Sequence, residues 1–189
     1  MNPKIIIGVT GTIGAGKDTV TNYLHDKYGF TVVSIGDLTR EELKAAGMSE
    51  NRENLDFLAK KRTDEFGNGY WSRKCVAKIQ QLKAEKIAIS GVRRPADVSI
   101  PKKVFGNIYK LVLVDADTEL RFKRLKARKR VGDPKTLAEF KKQEKAEHKL
   151  FDFEKTATLA DFVIRNETTV ENLYKQIDEI VNNLLKSGI

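Results

Sequence analysis

Cysteine is all but missing from this chain: Cys75 stands alone among 189 residues, so no disulfide can form within it. It lies in an apolar-periodic stretch, and the chain has only two histidines, so it reads as a structural thiol rather than a nucleophile or metal ligand. Long apolar runs are missing as well, and none approaches the roughly 20 residues a membrane-spanning helix needs. No leader-like segment is visible, and the expected setting is reducing and cytoplasmic, with no membrane partner. Prolines number four and form no Pro/Gly/Ser linker; with no repeats or low-complexity tracts, residues 1–189 are expected to form one domain. Acid is scarce relative to base, 26 Asp and Glu against 35 Lys and Arg. The resulting net charge of +9 suits an anionic partner, nucleotide or nucleic acid, without choosing between them.

What the chain does have is alternation. Short apolar runs rich in β-branched residues occur at Ile5 to Val9, Thr31 to Ile35, Ile87 to Ser90, Tyr109 to Val114 and Asp161 to Ile164. Each is nearly continuous rather than alternating, as strands covered on both faces of a parallel sheet require. Helical periodicity fills the gaps at Lys17 to Tyr28, Leu38 to Ala46, Asn54 to Phe66, Tyr70 to Glu85, Thr118 to Arg130, Leu137 to Phe151 and Val170 to Lys186. That pattern predicts βαβ units in a three-layer α/β sandwich. Three helices between the second and third strands, about 38–85, break the strict alternation and predict a binding lobe beside the sheet.

Directly after the first strand comes Gly11-Thr12-Ile13-Gly14-Ala15-Gly16-Lys17. Glycines let successive backbone amides turn inward around an anion, the following helix adds its positive N-terminal end, and Lys17 reaches the β- and γ-phosphates. A strand before and a helix after make this more than a glycine-rich turn. The position after the lysine usually carries a metal-ligating hydroxyl, with a carboxylate on the third strand behind it. Here Asp18 follows Lys17, and the third strand ends Ile89-Ser90-Gly91 without an acid. Asp18 is therefore expected to bring from the loop the negative charge for Mg²⁺, with Thr19 toward the α-phosphate. The plainer alternative is an acid favourably placed in a first helical turn, which would leave Ser90 or Asp37 to assist the metal.

Two further strand ends carry charge. The second runs into Ser34-Ile35-Gly36-Asp37-Leu38-Thr39-Arg40 and the third into Gly91-Val92-Arg93-Arg94-Pro95. In an open parallel sheet the ligand crevice lies beyond the carboxyl ends of the strands, so Asp37, Arg40 and one of Arg93 and Arg94 are expected to face the loop and hold an acceptor phosphate. Phe66, Tyr70 and Trp71 are the candidates for contacts to an acceptor base, with core packing the competing use. Beyond the fourth strand, six basic residues fall between Lys123 and Arg130, ahead of Gly132-Asp133-Pro134. They read as a cover, about 124–150, whose arginines close on the phosphates, or else as a solvated charge run.

These motifs, together with Arg124-Leu125-x-x-Arg128-x-Arg130 and Ala160-Asp161-Phe162-Val163-Ile164-x-Asn166, resemble the P-loop nucleoside monophosphate kinase group in order along nearly the whole chain. Gly-Asp-Leu-x-Arg resembles the adenylate kinase acceptor motif, and Gly-Lys-Asp-Thr is similar to the loop of viral and bacterial deoxynucleoside monophosphate kinases. The opening and closing motifs resemble dephospho-CoA kinase and related archaeal nucleotide kinases. The resemblance implies a three-layer P-loop NTPase fold with strand order 2-3-1-4-5, ATP as donor, Arg40 and Arg93 on the acceptor phosphate, and Arg124, Arg128 or Arg130 in a short lid. Adenine would lie between Arg124 or Arg128 and the loop beginning at Asn166. The expected activity is ATP-dependent phosphorylation of a nucleoside or deoxynucleoside monophosphate, with Lys17, Arg93, Arg124 and Arg128 supporting transfer. Dephospho-CoA kinase is the alternative enzyme, in which Asp37 would serve as base for a hydroxyl acceptor. A nucleotide-dependent RNA-binding switch is the alternative of another class.

Overall fold

The computed structural model describes residues 3–128 and 133–186. Five parallel strands, β1 (Ile5–Thr10), β2 (Thr31–Ser34), β3 (Lys86–Ser90), β4 (Tyr109–Asp115) and β5 (Phe162–Arg165), form one sheet in the order β2-β3-β1-β4-β5. β1 sits at the centre because it is apolar enough to be covered everywhere: all six of its residues are buried. Alternate side chains leave it on opposite faces. Ile5, Ile7 and Val9 pack with Val20 and Leu24 of α1 (Lys17–Tyr28) and with Leu173, Ile177 and Val181 of α9 (Val170–Lys186). Ile6 packs on the other face with Cys75 and Ile79 of α4 (Tyr70–Gln81) and Val98 of α5 (Pro95–Phe105). These two cores make the three layers, and the sheet order is the one the resemblance implies.

Between β2 and β3 lie α2 (Ile35–Ala45), α3 (Arg52–Phe66) and α4, the predicted inserted lobe. Glu42, on α2, joins them: its carboxylate accepts from Arg62 of α3 and from Tyr70 (2.9 Å) and Lys74 (2.5 Å) of α4. Those donors hold the Glu42 carboxyl below its ordinary range against the opposing effect of burial. After β4 come α6 (Thr118–Arg128), α7 (Leu137–Phe151) and the short α8 (Phe153–Ala157).

Several boundaries differ from the sequence expectation. The strand predicted to run through Ile35 stops at Ser34, whose hydroxyl caps α2 by accepting from the Asp37 amide at 3.1 Å, so Gly36 and Asp37 belong to a first helical turn. α4 ends at Gln81, because Leu82 is already extended. α5, which carries two prolines, was not among the predicted helices. Pro95 occupies the start of the helix, where no amide is needed. Pro101 inside it cannot donate to the Asp97 carbonyl, and the Tyr109 hydroxyl approaches that oxygen instead, at 3.5 Å.

Candidate phosphate-binding site

The loop from Gly11 to Gly16 joins β1 to α1, and three of its glycines have positive φ. None of the three admits anything larger, and at Gly11 a Cβ would strike the Val114 carbonyl. At Gly16, φ is 101°, and a Cβ would strike the Asn166 amide nitrogen; at Gly14, φ is 79°, and a Cβ would strike Leu125 and the Arg121 carbonyl. The loop is therefore wedged between the start of the β5–α9 connection and α6. Asn166 Nδ2 donates to the Ala15 carbonyl at 2.8 Å, and Arg121 Nη1 donates to the Ile13 carbonyl at 3.3 Å.

Lys17 opens α1 and folds back over the loop, its Nζ donating to the Thr12 carbonyl at 2.8 Å. Burial, then the Arg93 guanidinium, lowers its pKa from 10.5 to about 8, with Arg121 adding to the effect and Asp18 and Glu147 opposing it. The cations of three elements thus gather round one crevice. Asp18 is exposed in the first turn of α1 beside the partly buried Thr19, and its charge reaches both Lys17 and Arg128. Two polar atoms at the crevice are buried without a hydrogen-bond partner among the described residues, Thr12 Oγ1 and Arg124 Nη1.

Of the arginine pair after β3, Arg93 is the one whose field reaches Lys17. Its backbone is fixed by Asp97, whose carboxylate accepts from the Arg93 and Arg94 amides (3.0 and 2.9 Å) and from the Ser72 hydroxyl, while Thr156 donates to the Arg93 carbonyl at 2.9 Å. Both guanidiniums lie over Phe151, 5.1 and 4.9 Å from its centroid. Arg94 also donates to the Leu150 carbonyl at 3.1 Å, which turns it toward α7. Arg40 is held by two exposed carboxylates, Asp37 at 2.5 Å and Glu50 at 3.2 Å. Ser90 ends β3 partly buried, with no acid beside it on the strand.

Arg124 donates to the Asn166 carbonyl (2.8 Å) and side-chain oxygen (3.3 Å), and so joins α6 to the same connection that braces the loop. Arg128 makes a two-pronged bond to Asp133, at 2.9 and 2.7 Å. Lys129, Arg130 and Gly132 of the predicted cover lie outside the described residues. Trp71 is core, its indole nitrogen 3.4 Å from the Ala59 carbonyl, whereas exposed Phe66 stacks on Tyr70 with centroids 5.2 Å apart.

Sequence reasoning passed over Arg121, which treated as one of a run of bases gave no sign of its role. It is buried, donates also to Ala116 (2.8 Å) and Thr118 (3.0 Å), pairs with Glu144 of α7 and packs over Phe140. The available signal was its place four residues before Leu125, on the inward face of α6. Glu147, one turn beyond Glu144, was passed over for the same reason.

Fold and loop together define the class: a P-loop protein of kinase-like, nucleotide-binding architecture. A family model described as an AAA domain matches residues 10–141. A UPF0200 protein of Methanothermobacter thermautotrophicus is 32% identical over 184 residues, covering 97% of this chain and 93% of that protein. The chain belongs to that AAA-domain family and to the UPF0200 proteins. Among solved structures, TT1252 from Thermus thermophilus superposes with a TM-score of 0.64 at 23% identity, covering 97% of this chain and 99% of that one. Shikimate kinase from Acinetobacter baumannii, in complex with shikimate, gives 0.59 at 16%, covering 99% and 95%. At these identities the likeness is one of fold.

Proposed function

We propose that this chain, acting as one domain in the cytoplasm, transfers the γ-phosphoryl group of ATP to a nucleoside or deoxynucleoside monophosphate. The observation that carries this reading is the gathering of Lys17, Arg93 and Arg121 around the glycine loop, with Lys17 brought down to about 8 by burial and by its cationic neighbour. Cations held together at a cost in their own repulsion suit a polyanion, which relieves that repulsion when it binds. The buried, partnerless Thr12 hydroxyl and Arg124 nitrogen supply donors at the same rim.

In this reading residues 11–19 hold the triphosphate through backbone amides, Lys17 and Thr19. The acceptor phosphate lies toward Arg93 and Arg40, the latter exchanging Asp37 and Glu50 for phosphate oxygens. Arg94 sets the position of Phe151 and so acts on the acceptor side through packing. Arg128 closes on the donor side, and adenine rests between Arg124 and the connection that starts at Asn166. The donor chemistry fits Mg²⁺: Asp18 is an exposed carboxylate next to a hydroxyl, both hard oxygen ligands. No cluster of three His, Cys, Asp or Glu side chains suited to a metal exists among the described residues, so Asp18 would be one ligand beside phosphate and water oxygens. When bound, Mg²⁺ would neutralise charge on the phosphoryl oxygens. Arg93 and Lys17 do the same from the protein side, and a phosphate acceptor asks for no general base.

The test is a panel in which ADP formation from ATP is followed with each nucleoside and deoxynucleoside monophosphate, with dephospho-CoA and with RNA. Stimulation and phosphorylation of a monophosphate is the expected result. Phosphorylation of dephospho-CoA alone would replace the acceptor assignment, and RNA-stimulated hydrolysis without a phosphorylated product would replace the reaction.

A further inference from the structure

The helix that roofs the site also presents an outer face, and its charges are sorted. All three acids of α7 are engaged: Glu139 closes the N-terminal capping box, Glu144 pairs with Arg121, and Glu147 accepts from Gln143 and faces Lys17. Phe140 and Phe151 share that inward side, in the core and against Arg93. Lys141, Lys142, Lys145 and Lys149 are all exposed; at 100° per residue they share an arc of about 100°, with Lys142, Lys145 and Lys149 opposite the inward side and Lys141 on its flank. None of the four makes an ion pair among the described residues.

Exposed lysines without an ion pair among the described residues occur elsewhere, as at Lys123 and Lys126 of α6, but α3 shows how a helix dense in bases can be balanced. On α3, Lys60 pairs with Asp64, Lys61 with Glu65 and Arg62 with Glu65, at i,i+3 and i,i+4 spacing. On α7 the same spacings set Lys141 against Lys145 and Lys145 against Lys149, like charges that destabilise a helix. The row spans about 12 Å with no acid in it. Beside the lysines lie Ala138 and Ala146, with the exposed Leu150 alone at one edge; a single leucine is not the clustered aromatic or apolar hot spot, poor in lysine, on which a protein interface is built. Nor does the face carry an aromatic side chain on which an unpaired base could stack.

We propose that the outer face of α7 docks the phosphate backbone of a nucleic-acid duplex through Lys141, Lys142, Lys145 and Lys149. This is a binding surface separate from the transfer site, and it stands or falls apart from the acceptor assignment. Each phosphate neutralised releases counterions, with a salt slope of about −0.9 per contact. Four contacts predict an affinity loss of about 150-fold between 50 and 200 mM salt. The experiment is fluorescence anisotropy of the full chain with a labelled duplex of about 20 base pairs across that range. The fourfold variant Lys141→Glu, Lys142→Glu, Lys145→Glu, Lys149→Glu should lose the steep salt dependence, and the corresponding four Lys→Arg changes should keep it. A fourfold Lys→Gln set serves the same comparison if the acidic variant does not fold. ATP turnover should be unchanged in every set, since none of these lysines reaches the crevice. Equal duplex binding by parent and neutralised variant overturns the proposal, as does tighter binding of the single strand or of an acidic peptide than of the duplex.

Discussion

Replacing Lys17 by methionine should make the protein more stable while removing its turnover. The side chain keeps its length and loses its charge. A depression from 10.5 to about 8 means that folding places the ammonium where it is roughly 3 kcal/mol less favourable than in water. The bond from this charged donor to the Thr12 carbonyl returns about 2 kcal/mol, which the variant gives up. The net gain expected for Lys17→Met without nucleotide is about 1 kcal/mol, or about 2–4 °C in Tm for a chain of this size. The pH dependence identifies the cause. At pH 7 Lys17 is protonated in both folded and unfolded chains, so the folded parent bears the full penalty. Between about pH 8 and 10.5 the folded chain has released that proton and the unfolded chain still holds it, so parental stability rises with pH relative to the variant. Above 10.5 the penalty is gone and only the lost hydrogen bond remains. Urea unfolding of both proteins at intervals from pH 7 to 10.5 measures the difference directly. A variant less stable than the parent at pH 7, or a gap constant across that range, would refute the reasoning.

Three other perturbations have defined outcomes. Asp18→Ala should raise the Mg²⁺ concentration for half-maximal turnover at least about tenfold while changing stability by no more than about 1 kcal/mol, the range of a helix-end charge; coincident metal titrations would assign Asp18 to the helix alone. Asn166→Ala leaves the Ala15 carbonyl and an Arg124 N–H without their partner in a buried place, and should cost about 1–3 kcal/mol in chemical denaturation together with a measurable loss of ATP-analogue affinity. Cys75 is fully buried, and burial pushes its thiol up to about 12, so the native protein should resist a thiol-reactive disulfide at pH 8 and react at once in denaturant.

The parallel sheet was legible because its strands are covered on both faces and so are written as unbroken β-branched runs; β1 is the clearest case. The edges were harder. β2 buries only Val33 and β5 only Ile164, so their ends are set by neighbours rather than by their own composition. α5 was illegible for a reason that lies elsewhere in the chain: Pro101 is tolerated because Tyr109, on the neighbouring strand, reaches the carbonyl it leaves free. In the site, the glycine loop and Lys17 were readable as a local pattern, and the geometry brought Arg93, rather than Arg94, to Lys17. What could not be read was the division of labour within a run of like residues. Arg121 and Arg128 are seven residues apart in one basic stretch, yet one is buried under the loop and the other is at the surface with Asp133. The packing of α7 across α6, through Phe122 and Phe140, and the Ile13 carbonyl beneath it separate them.

The loop near the start of the chain is held by residues far along it. Gly11 to Lys17 are made before both of their braces: Arg121 comes 108 residues after Ile13, and Asn166 comes 151 residues after Ala15. Until β5 has been added to the sheet, the turn has its glycines and its lysine but lacks the Asn166 amide that holds the Ala15 carbonyl. The shape of this turn is therefore a property of the assembled sheet and not of the local glycine pattern alone.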